Sequence, residues 1–430
     1  MPDRTHAKEI SLHRERCFLC AVVTPERTVV GEDPLDEIGR LVDAAGGEEA
    51  GRTIQRRDRP ASSTYFGRGK LAEVAAAAKA AAADTIVVDD DLSPKQLGAV
   101  ETACRGKVID RNEVILDIFQ SNARTHQAKL QVELAQLQYE LPRLARKWTH
   151  LERLGGGIGT RGPGESQIET DRRLLRRKIG SLRRDLDEIE ARREREVMTR
   201  DAAFSACLVG YTNAGKSSLL NRLTGAGALV RDGLFATLDT LTRRLEFGDG
   251  ADMLISDTVG FIRRLPHHLV ASFHATLEEA ARSNLLLQVA DAASPFALAE
   301  ADAVDATLRE LGMDGLPRIH ILNKADLAPA PGRLEALANR LSPAFPVSAL
   351  TGEGIGGLLA CLRGKAETGM RAVRVRFASG DGRRFALLNR LARVEKSVYE
   401  DSDVIVTARI EAADLERIKR LPGGMAVEKA

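Results

Sequence analysis

The sequence has few cysteines and no long apolar run, and each shortage excludes a class of protein. Five cysteines scattered through 430 residues are too few for a disulfide framework, which indicates a reducing compartment and a cytoplasmic protein. The longest apolar runs, such as residues 284–290, fall well short of the ~18 residues that a membrane span needs. We therefore expect no transmembrane segment, and no apolar core follows the first residues to form a secretory signal. Peripheral membrane association stays open, and we expect a monomer.

An excess of charge of one sign is also lacking. The chain has 63 Lys and Arg against 61 Asp and Glu, so its net charge is only +2 and it is not basic as a whole. Residues 141–200 are the exception, because sixteen basic residues stand there against ten acidic ones. Any contact with nucleic acid is therefore expected from this local patch.

Residues 1–110 alternate between strand-like and helix-like segments. This alternation predicts an amino-terminal α/β subdomain with a parallel sheet. The expected strands and helices, in chain order, are 17–23, 36–45, 71–83 and 85–88, of which the first and last are strands.

Two short motifs in this subdomain could hold a metal ion. Cys17 and Cys20 form a CxxC pair, but it lies inside an apolar run and has no second pair of ligands, so we interpret both as buried strand residues. Asp89, Asp90 and Asp91 follow a predicted strand, and we interpret them as a solvated turn rather than a metal site.

Residues 111–200 have a different character. Apolar residues are spaced 4-3-4-3 at 130–144 and again at 175–189, which is the pattern of a coiled-coil seam. The glycine- and proline-rich segment 154–165 between them cannot continue a helix. The pattern predicts an antiparallel helical hairpin with a glycine-rich tip.

The hairpin carries a dense basic run, for which two interpretations stay open. It is either a solvated coiled-coil face or a polyanion-binding surface, and the flexible tip favours the second because glycine lets a backbone approach phosphate closely. The GxGxxG match at 157–162 lacks the preceding strand of a dinucleotide site and is not interpreted as one. The candidate RNA-binding residues are Arg161, Arg172, Arg173, Arg176 and Arg177.

Residues 203–365 again alternate strand and helix, and they contain a P-loop, GYTNAGKS. It follows an apolar strand and precedes a helix, so its backbone amides form an anion-binding nest at a helix amino terminus. The lysine of such a loop bridges the β- and γ-phosphates, and the hydroxyl of the following serine is a ligand of Mg²⁺. The loop residues are Gly210, Tyr211, Thr212, Asn213, Ala214, Gly215, Lys216 and Ser217.

Three further motifs each follow an apolar strand. In the DTVG motif, Asp257 can hold Mg²⁺ through water and Gly260 can donate its N–H to the γ-phosphate. In the NKAD motif, the carboxylate of Asp326 accepts both donors of guanine, which adenine does not offer. In the SAL motif, a backbone amide can contact the guanine carbonyl. The binding residues are Asp257, Thr258, Val259, Gly260, Asn323, Lys324, Ala325, Asp326, Ser348, Ala349 and Leu350.

The segment between the P-loop and the DTVG motif is expected to act as a switch. A threonine there would close over Mg²⁺ and the γ-phosphate in the GTP state and release after hydrolysis. Spacing alone leaves three candidates for this role, Thr237, Thr240 and Thr242. The P-loop, DTVG, NKAD and SAL motifs occur in order at strand ends and converge on one crevice of a doubly wound sheet, which predicts a GTP-binding domain.

After this domain, residues 371–430 are expected to form a small α+β domain. Its expected strands are 373–377, 394–399 and 404–410, and its expected helices are 385–391 and 412–421.

These motifs resemble the HflX branch of the translation-associated GTPases. The resemblance rests on GYTNAGKSS, FATLD, DTVGFI, NKAD and SAL, and on the upstream stretches FGRGK, KLQVELAQLQYELPRL and GGGIGTRGPGESQIETDRR. It implies a Mg²⁺-dependent, ribosome-stimulated GTPase that binds the large (50S) ribosomal subunit and dissociates stalled or idle ribosomes under stress.

The same resemblance assigns roles within the switch segment. Thr237 becomes the switch threonine and Mg²⁺ ligand, and it joins Lys216 and Gly260 as a catalytic residue. The family usually has proline where this chain has Thr240, which leaves the stiffness of the switch open. The nucleotide-contacting residues of the segment are Phe235, Ala236, Thr237, Leu238 and Asp239.

The hydrolytic machinery is incomplete in the sequence. Phe261 stands where Ras-like enzymes have a glutamine that orients the attacking water, so we expect slow intrinsic turnover. Two activators could raise this slow turnover. Similarity to relatives with a P-loop asparagine leaves open a K⁺ ion bound at Asn213, and a ribosomal partner is the other candidate. A subunit-assembly GTPase, an RNA-binding module gated by nucleotide, and an adenine-nucleotide function in the amino-terminal domain are the alternatives.

Overall fold

The computed structural model describes most of the chain. The described residues are 12–25, 33–144, 163–197, 204–225, 233–235, 237–238, 241–247, 252–264, 279–328, 331–368, 371–400, 402–410, 415 and 426–429. They pack into two compact units. The first comprises Met1–Glu190, Asp232–Asp239 and Arg264–His274, and the second comprises Ala191–Arg231, Thr240–Arg263 and Ala275–Ala430.

The first unit contains a four-stranded parallel sheet with the strand order β2-β1-β3-β4. Apolar side chains of its central strands pack against helices α2 and α3 to form the core. The strands are β1 (Arg16–Val23), β2 (Glu48–Arg56), β3 (Thr85–Val88) and β4 (Lys107–Asp110). The helices are α1 (Asp36–Ala44), α2 (Arg68–Ala80), α3 (Pro94–Cys104), α4 (Arg111–Asn122) and α5 (His126–Glu140).

Side-chain caps fix where these helices begin. Asp110 accepts hydrogen bonds from the backbone N–H groups of Asn112 and Glu113 at the start of α4, and Ser93 forms a capping box with Gln96 at the start of α3. Such caps satisfy the amides that have no partner within the helix. Four elements of this unit, β2, α3, β4 and α4, were not predicted from the sequence, whereas the strand at 85–88 is confirmed.

The two predicted hairpin helices are present as α5 and the 35-residue helix α6 (Pro163–Val197). Leu134 on α5 packs with Ile179 and Leu182 on α6, so the predicted apolar seams do meet. Residues 154–162 of the predicted glycine-rich tip, with the GxGxxG match and Arg161, lie outside the described residues. The last three residues of that segment, 163–165, form the start of α6, so the predicted tip extended too far.

The cysteine pair and the aspartate cluster of the first unit both have buried members. Cys17 and Cys20 are buried strand residues, as predicted, and no metal-binding cluster of His, Cys, Asp or Glu occurs in the described part of the chain. The interpretation of Asp89 as part of a solvated turn is wrong, because its side chain is 1% exposed. Arg111 reaches it at 2.7 Å and also pairs with Glu37 at 3.0 Å, so a buried ion-pair network holds this strand end.

The second unit contains a six-stranded sheet with the order β10-β9-β8-β5-β7-β6, parallel except for β6. This is the predicted doubly wound sheet, and its helices cover an apolar core. The strands are β5 (Phe204–Gly210), β6 (Leu241–Leu245), β7 (Met253–Asp257), β8 (Leu285–Asp291), β9 (Arg318–Asn323) and β10 (Ala344–Pro346). The helices are α7 (Lys216–Thr224), α8 (Ala297–Glu310), α9 (Pro331–Arg340) and α10 (Ile355–Thr368).

A separate antiparallel sheet with the order β12-β13-β11-β14 follows in the same unit. It confirms the three predicted strands and adds β14, which was missed. Its elements are β11 (Arg371–Ala378), α11 (Gly382–Leu391), β12 (Ala392–Glu400), β13 (Asp403–Ile410) and β14 (Ala426–Lys429). The predicted helix at 412–421 lies outside the described residues except for Leu415. None of the described helices is both long and apolar enough to cross a membrane.

Candidate active site

The P-loop joins β5 to α7, where the sequence placed it. Three of its residues have positive φ, Gly210 with 155°, Asn213 with 62° and Gly215 with 87°. A Cβ atom at Gly215 would lie 2.3 Å from Nδ2 of Asn323, so only glycine fits this close approach. The loop therefore turns tightly enough to direct its amides toward the start of α7.

Lys216 lies inside this loop, and its side chain is buried. Its ammonium group donates hydrogen bonds to the carbonyls of Gly210 (3.2 Å) and Tyr211 (3.0 Å). Burial lowers the pKa of Lys216 to about 8, and the nearby carboxylate of Asp257 only partly opposes this. A cation held in a loop of amides is suited to bind the phosphates of a nucleotide.

Ser217 and Asp257 provide a set of hard oxygen atoms beside Lys216. The hydroxyl of Ser217 donates to the carboxylate of Asp257 at 2.5 Å. Asp257 itself is fully buried at the carboxyl end of β7. Hydroxyl and carboxylate oxygens are ligands that Mg²⁺ prefers, so this pair fits the metal.

The DTVG motif is held against the P-loop by backbone hydrogen bonds. Thr212 donates to the carbonyl of Phe261 (2.8 Å), and Phe261 donates to that of Gly210 (3.0 Å). A Cβ atom at Gly260 would lie 2.7 Å from Cα of Thr212 and 3.1 Å from Nζ of Lys216. Glycine therefore keeps open a space beside the lysine. Because Phe261 is 2% exposed, its ring packs in the interior and cannot hold a water molecule.

Asn323 connects three of the predicted motifs. Its Nδ2 donates to the carbonyl of Ala214 in the P-loop (3.0 Å), and its Oδ1 accepts from the N–H of Ala349 in the SAL motif (3.0 Å). Ala325 donates to the carbonyl of Val347 at the end of the neighbouring strand. The NKAD and SAL motifs thus form a second wall beside the phosphate loop.

The base-reading side of this wall is more exposed. Asp326 lies in a short 3₁₀ turn with its side chain exposed, and Leu350 is 81% exposed. Lys324 has left-handed backbone with φ 61°, and its ammonium group pairs with Asp291 at 2.7 Å. Sequence reasoning missed Asp291, although an acidic residue at the end of the apolar strand β8 was a usable signal.

The structure therefore brings four of the five predicted nucleotide motifs together at one edge of the sheet. The switch residues Phe235, Thr237 and Leu238 are grouped with the first unit, where Phe235 packs edge-to-face on Phe119 with ring centroids 4.8 Å apart. The amide of Asn122 donates to the carbonyl of Phe235 at 3.0 Å. Ala236 and Asp239 lie outside the described residues.

Four of the five candidate RNA-binding residues lie on α6, and Arg161 lies outside the described residues. Arg173, Arg176 and Arg177 are exposed and Arg172 is half-buried. Of these four, Arg177 points furthest from the apolar seam at Ile179, whereas Arg172, seven residues before Ile179, borders that seam.

Comparison with known proteins covers nearly the whole chain. Residues 32–120 match a family described as the GTP-binding GTPase N-terminal region, residues 122–200 its middle region, and residues 205–324 a family described as 50S ribosome-binding GTPase. A protein named GTPase HflX from Lacrimispora saccharolytica is 42% identical over 95% of this chain and 96% of its own length. The GTPase HflX of Escherichia coli is 41% identical over 90% of this chain and 92% of its own. Among solved structures, a GTP-binding protein from Sulfolobus solfataricus in complex with GDP is 25% identical, with a TM-score of 0.40, over 81% of this chain and 99% of its own.

Proposed function

This chain belongs to the HflX family of GTPases, and from that premise we propose that it acts on the large ribosomal subunit. In this proposal the GTP-bound protein associates with the 50S subunit in the cytoplasm, dissociates stalled or idle 70S ribosomes under stress, and leaves after hydrolysis. The observation that carries the proposal is the match of residues 205–324 to a 50S ribosome-binding GTPase family, in a chain that aligns with a relative over 95% of its length.

Different residues of the site would bind the phosphates and the base of GTP. Lys216 supplies positive charge to the β- and γ-phosphates, and the P-loop amides donate to their oxygens. Gly260 offers its N–H to the γ-phosphate from the space that its missing side chain leaves open. Asp326 would accept the two guanine donors, and Lys324, whose ammonium group pairs with Asp291, would support the base with its aliphatic stem. Each group acts on a different part of the nucleotide, so the full triphosphate is needed to engage all of them.

Magnesium is the metal that this donor set would take. We propose that the Ser217 hydroxyl and Thr237 bind it directly and that Asp257 holds it through water. When bound, the ion would neutralise charge on the β- and γ-phosphate oxygens.

The buried Phe261 ring cannot position the attacking water, so hydrolysis needs a group from elsewhere to do so. We propose that the 50S subunit orders the switch residues and positions the attacking water, so that it raises turnover at least ~10-fold. A K⁺ ion at Asn213, which is exposed on the P-loop, is the second candidate activator. GTPase rates measured in KCl and in NaCl, each with and without 50S subunits, separate the two. Rates that are equal in all four conditions would contradict both.

Co-sedimentation tests the ribosome proposal. The purified chain is centrifuged with 50S subunits and with 70S ribosomes in a non-hydrolysable GTP analogue, and the same mixtures in GDP serve as the control. We expect 50S association in the analogue only, together with the appearance of free 30S and 50S subunits from 70S. Equal association in GDP would contradict the proposal, and association restricted to immature particles would favour a subunit-assembly role.

A further inference from the structure

A cluster of three side-chain oxygens lies on the far side of β7 from Asp257. Ser256 directly precedes Asp257, and its side chain is buried. Successive side chains of a strand point to opposite faces of the sheet, so the Ser256 hydroxyl faces away from the Asp257 carboxylate. It donates to Oε1 of Glu279 at 2.5 Å, and the hydroxyl of Thr242 donates to the same oxygen at 2.6 Å. We name Thr242, Ser256 and Glu279 the carboxylate clamp.

The carboxylate clamp joins three segments of the second unit. Thr242 lies near the start of β6 and is the register partner of Ser256 in the antiparallel ladder between β6 and β7. Glu279 belongs to a helical turn at residues 279–281, just before β8. Backbone hydrogen bonds hold β6 to β7, whereas the Glu279 carboxylate ties both strands to this third segment. One oxygen atom therefore fixes three segments beside Asp257.

Each of these segments leads to a part of the candidate active site. Ser256 is joined by one peptide bond to Asp257, the carboxylate proposed to hold magnesium through water. Thr242 follows Thr237, the proposed switch threonine, and Glu279 follows the DTVG motif. A displacement of the carboxylate clamp would therefore be transmitted along the backbone to the magnesium residues.

The carboxylate clamp uses a charged acceptor where a neutral one would satisfy the hydroxyls. Thr258, two residues after Ser256, donates to the backbone carbonyl of Leu208 at 2.7 Å. Distances of 2.5 and 2.6 Å at Glu279 fall in the range of hydrogen bonds from a hydroxyl to an ionised oxygen, which are about twice as strong as neutral ones. In the part of the chain that the structure describes, Glu279 forms no ion pair with a basic side chain. Its charge is therefore directed at the two hydroxyls.

We propose that Glu279 is a positioning residue for GTP hydrolysis. Its carboxylate keeps Asp257 and the β6 end of the switch segment where magnesium binding and switch closure require them. This role rests on the magnesium site of the proposed function. Among the described residues, the hydrogen bonds of Glu279 go to Thr242 and Ser256, and none goes to the P-loop, NKAD or SAL motif. The clamp should therefore affect the magnesium-dependent step and leave binding of the nucleotide itself unchanged.

Steady-state kinetics of Glu279→Ala and Glu279→Gln test the proposal. Loss of a group that orients a metal ligand lowers metal affinity or activity by about 10–100-fold, so Glu279→Ala should lower kcat at least ~10-fold and change the KM for GTP less than about 2-fold. Glutamine keeps a carbonyl oxygen that accepts both hydroxyls, so Glu279→Gln should recover most of the lost rate. Glu310→Ala is the matched control, because it removes the same side chain from the exposed end of α8, and its kcat should equal that of the wild type.

Release of a fluorescent GDP analogue gives a readout that does not depend on turnover. A bound magnesium ion slows release, so the ratio of the dissociation rates in EDTA and in Mg²⁺ measures how firmly the site holds the ion. Glu279→Ala should lower this ratio at least ~10-fold. Its rate in EDTA should equal that of the wild type, because the phosphate and base motifs are untouched.

The two donors provide a second set of variants. Thr242→Val and Ser256→Ala remove the hydroxyls with little change of shape, so they test the clamp even where Glu279→Ala does not fold. Each should lower kcat and the magnesium ratio. In double-mutant cycles the changes should not be additive: once both donors are absent, Glu279→Ala should lower kcat by less than about 2-fold.

Three results would overturn the inference. They are a wild-type kcat and magnesium ratio in Glu279→Ala, a Glu279→Gln variant as slow as Glu279→Ala, and fully additive effects in the cycles. Ser217→Ala separates this inference from the proposed magnesium site. If Ser217→Ala lowers the magnesium ratio and Glu279→Ala does not, the clamp fails alone. If the ratio of the wild type is itself about 1, the magnesium site fails and the role of Glu279 fails with it.

Discussion

Binding of GTP should be coupled to protonation of Lys216. Its pKa in the free protein is lowered to about 8 by burial. A triphosphate against the ammonium group favours the charged form and raises this pKa well above 8. About half of the free molecules carry neutral Lys216 at pH 8 and about three quarters at pH 8.5, and binding protonates them. GTP binding should therefore take up about 0.5 proton at pH 8 and about 0.8 at pH 8.5.

The sign of this linkage also sets the pH dependence of affinity. Because the bound state holds more protons, affinity falls as pH rises, by about fourfold between pH 7 and pH 8.5. Calorimetry in two buffers of different ionisation enthalpy measures the proton uptake directly. Lys216→Arg is the control, since a guanidinium group stays charged throughout this range and should take up no proton. An uptake below about 0.1 proton at pH 8.5 in the wild type would refute the reasoning.

Two further predictions concern ion pairs that sequence reasoning did not find. Asp291→Asn removes the partner of Lys324 and should weaken GTP and GDP equally, by several-fold or about 1 kcal/mol, because it acts on the base rather than the phosphates. Asp305→Asn breaks a similarly exposed pair between helix α8 and Arg318 at the start of β9, and it should leave the dissociation constants unchanged. An effect of Asp291→Asn on GTP alone would contradict the assignment. Arg111→Met should destabilise the first unit by about 3–5 kcal/mol in chemical denaturation, because it removes the guanidinium group that pairs with the buried carboxylates of Asp89 and Glu37 and leaves Asp89 its contact with Arg264 at 3.1 Å. The loss should shrink at low pH as those carboxylates become protonated, and a loss below about 1 kcal/mol would disprove the role of the network.

The phosphate and base motifs could be predicted from sequence because each one is local. A P-loop needs only a strand, a few residues with special backbone, and a helix, and GYTNAGKS contains all the signals of that turn. The ends of two strands, at Asp257 and at Asn323, were equally clear, because an apolar run ends at each of them in a polar residue. Parallel strands then bring these ends to the same edge of the sheet.

The parts that sequence reasoning missed depend on partners far along the chain. Asp89 was expected in a solvated turn because its burial depends on Arg111, 22 residues later in the chain. The guanidinium group of Arg111 pairs with the Asp89 carboxylate, and the sequence around Asp89 does not indicate this pair. The strand β2 (Glu48–Arg56) is an edge strand in which most residues are polar and none is buried, so it has no apolar alternation. The packing of Phe235 on Phe119 joins residues more than a hundred positions apart. Such contacts follow from the fold and cannot be deduced from a local pattern.

The central claim is that Lys216 and Asp326 belong to one pocket that selects guanine nucleotides. Calorimetric dissociation constants for GTP, ATP and xanthosine triphosphate, measured on the wild type and on Asp326→Asn, test it most directly. We predict that the wild type binds GTP at least ~100-fold more tightly than the other two. The variant should prefer xanthosine triphosphate, because its amide can donate to the added carbonyl. Equal affinity of the wild type for all three nucleotides would contradict the account.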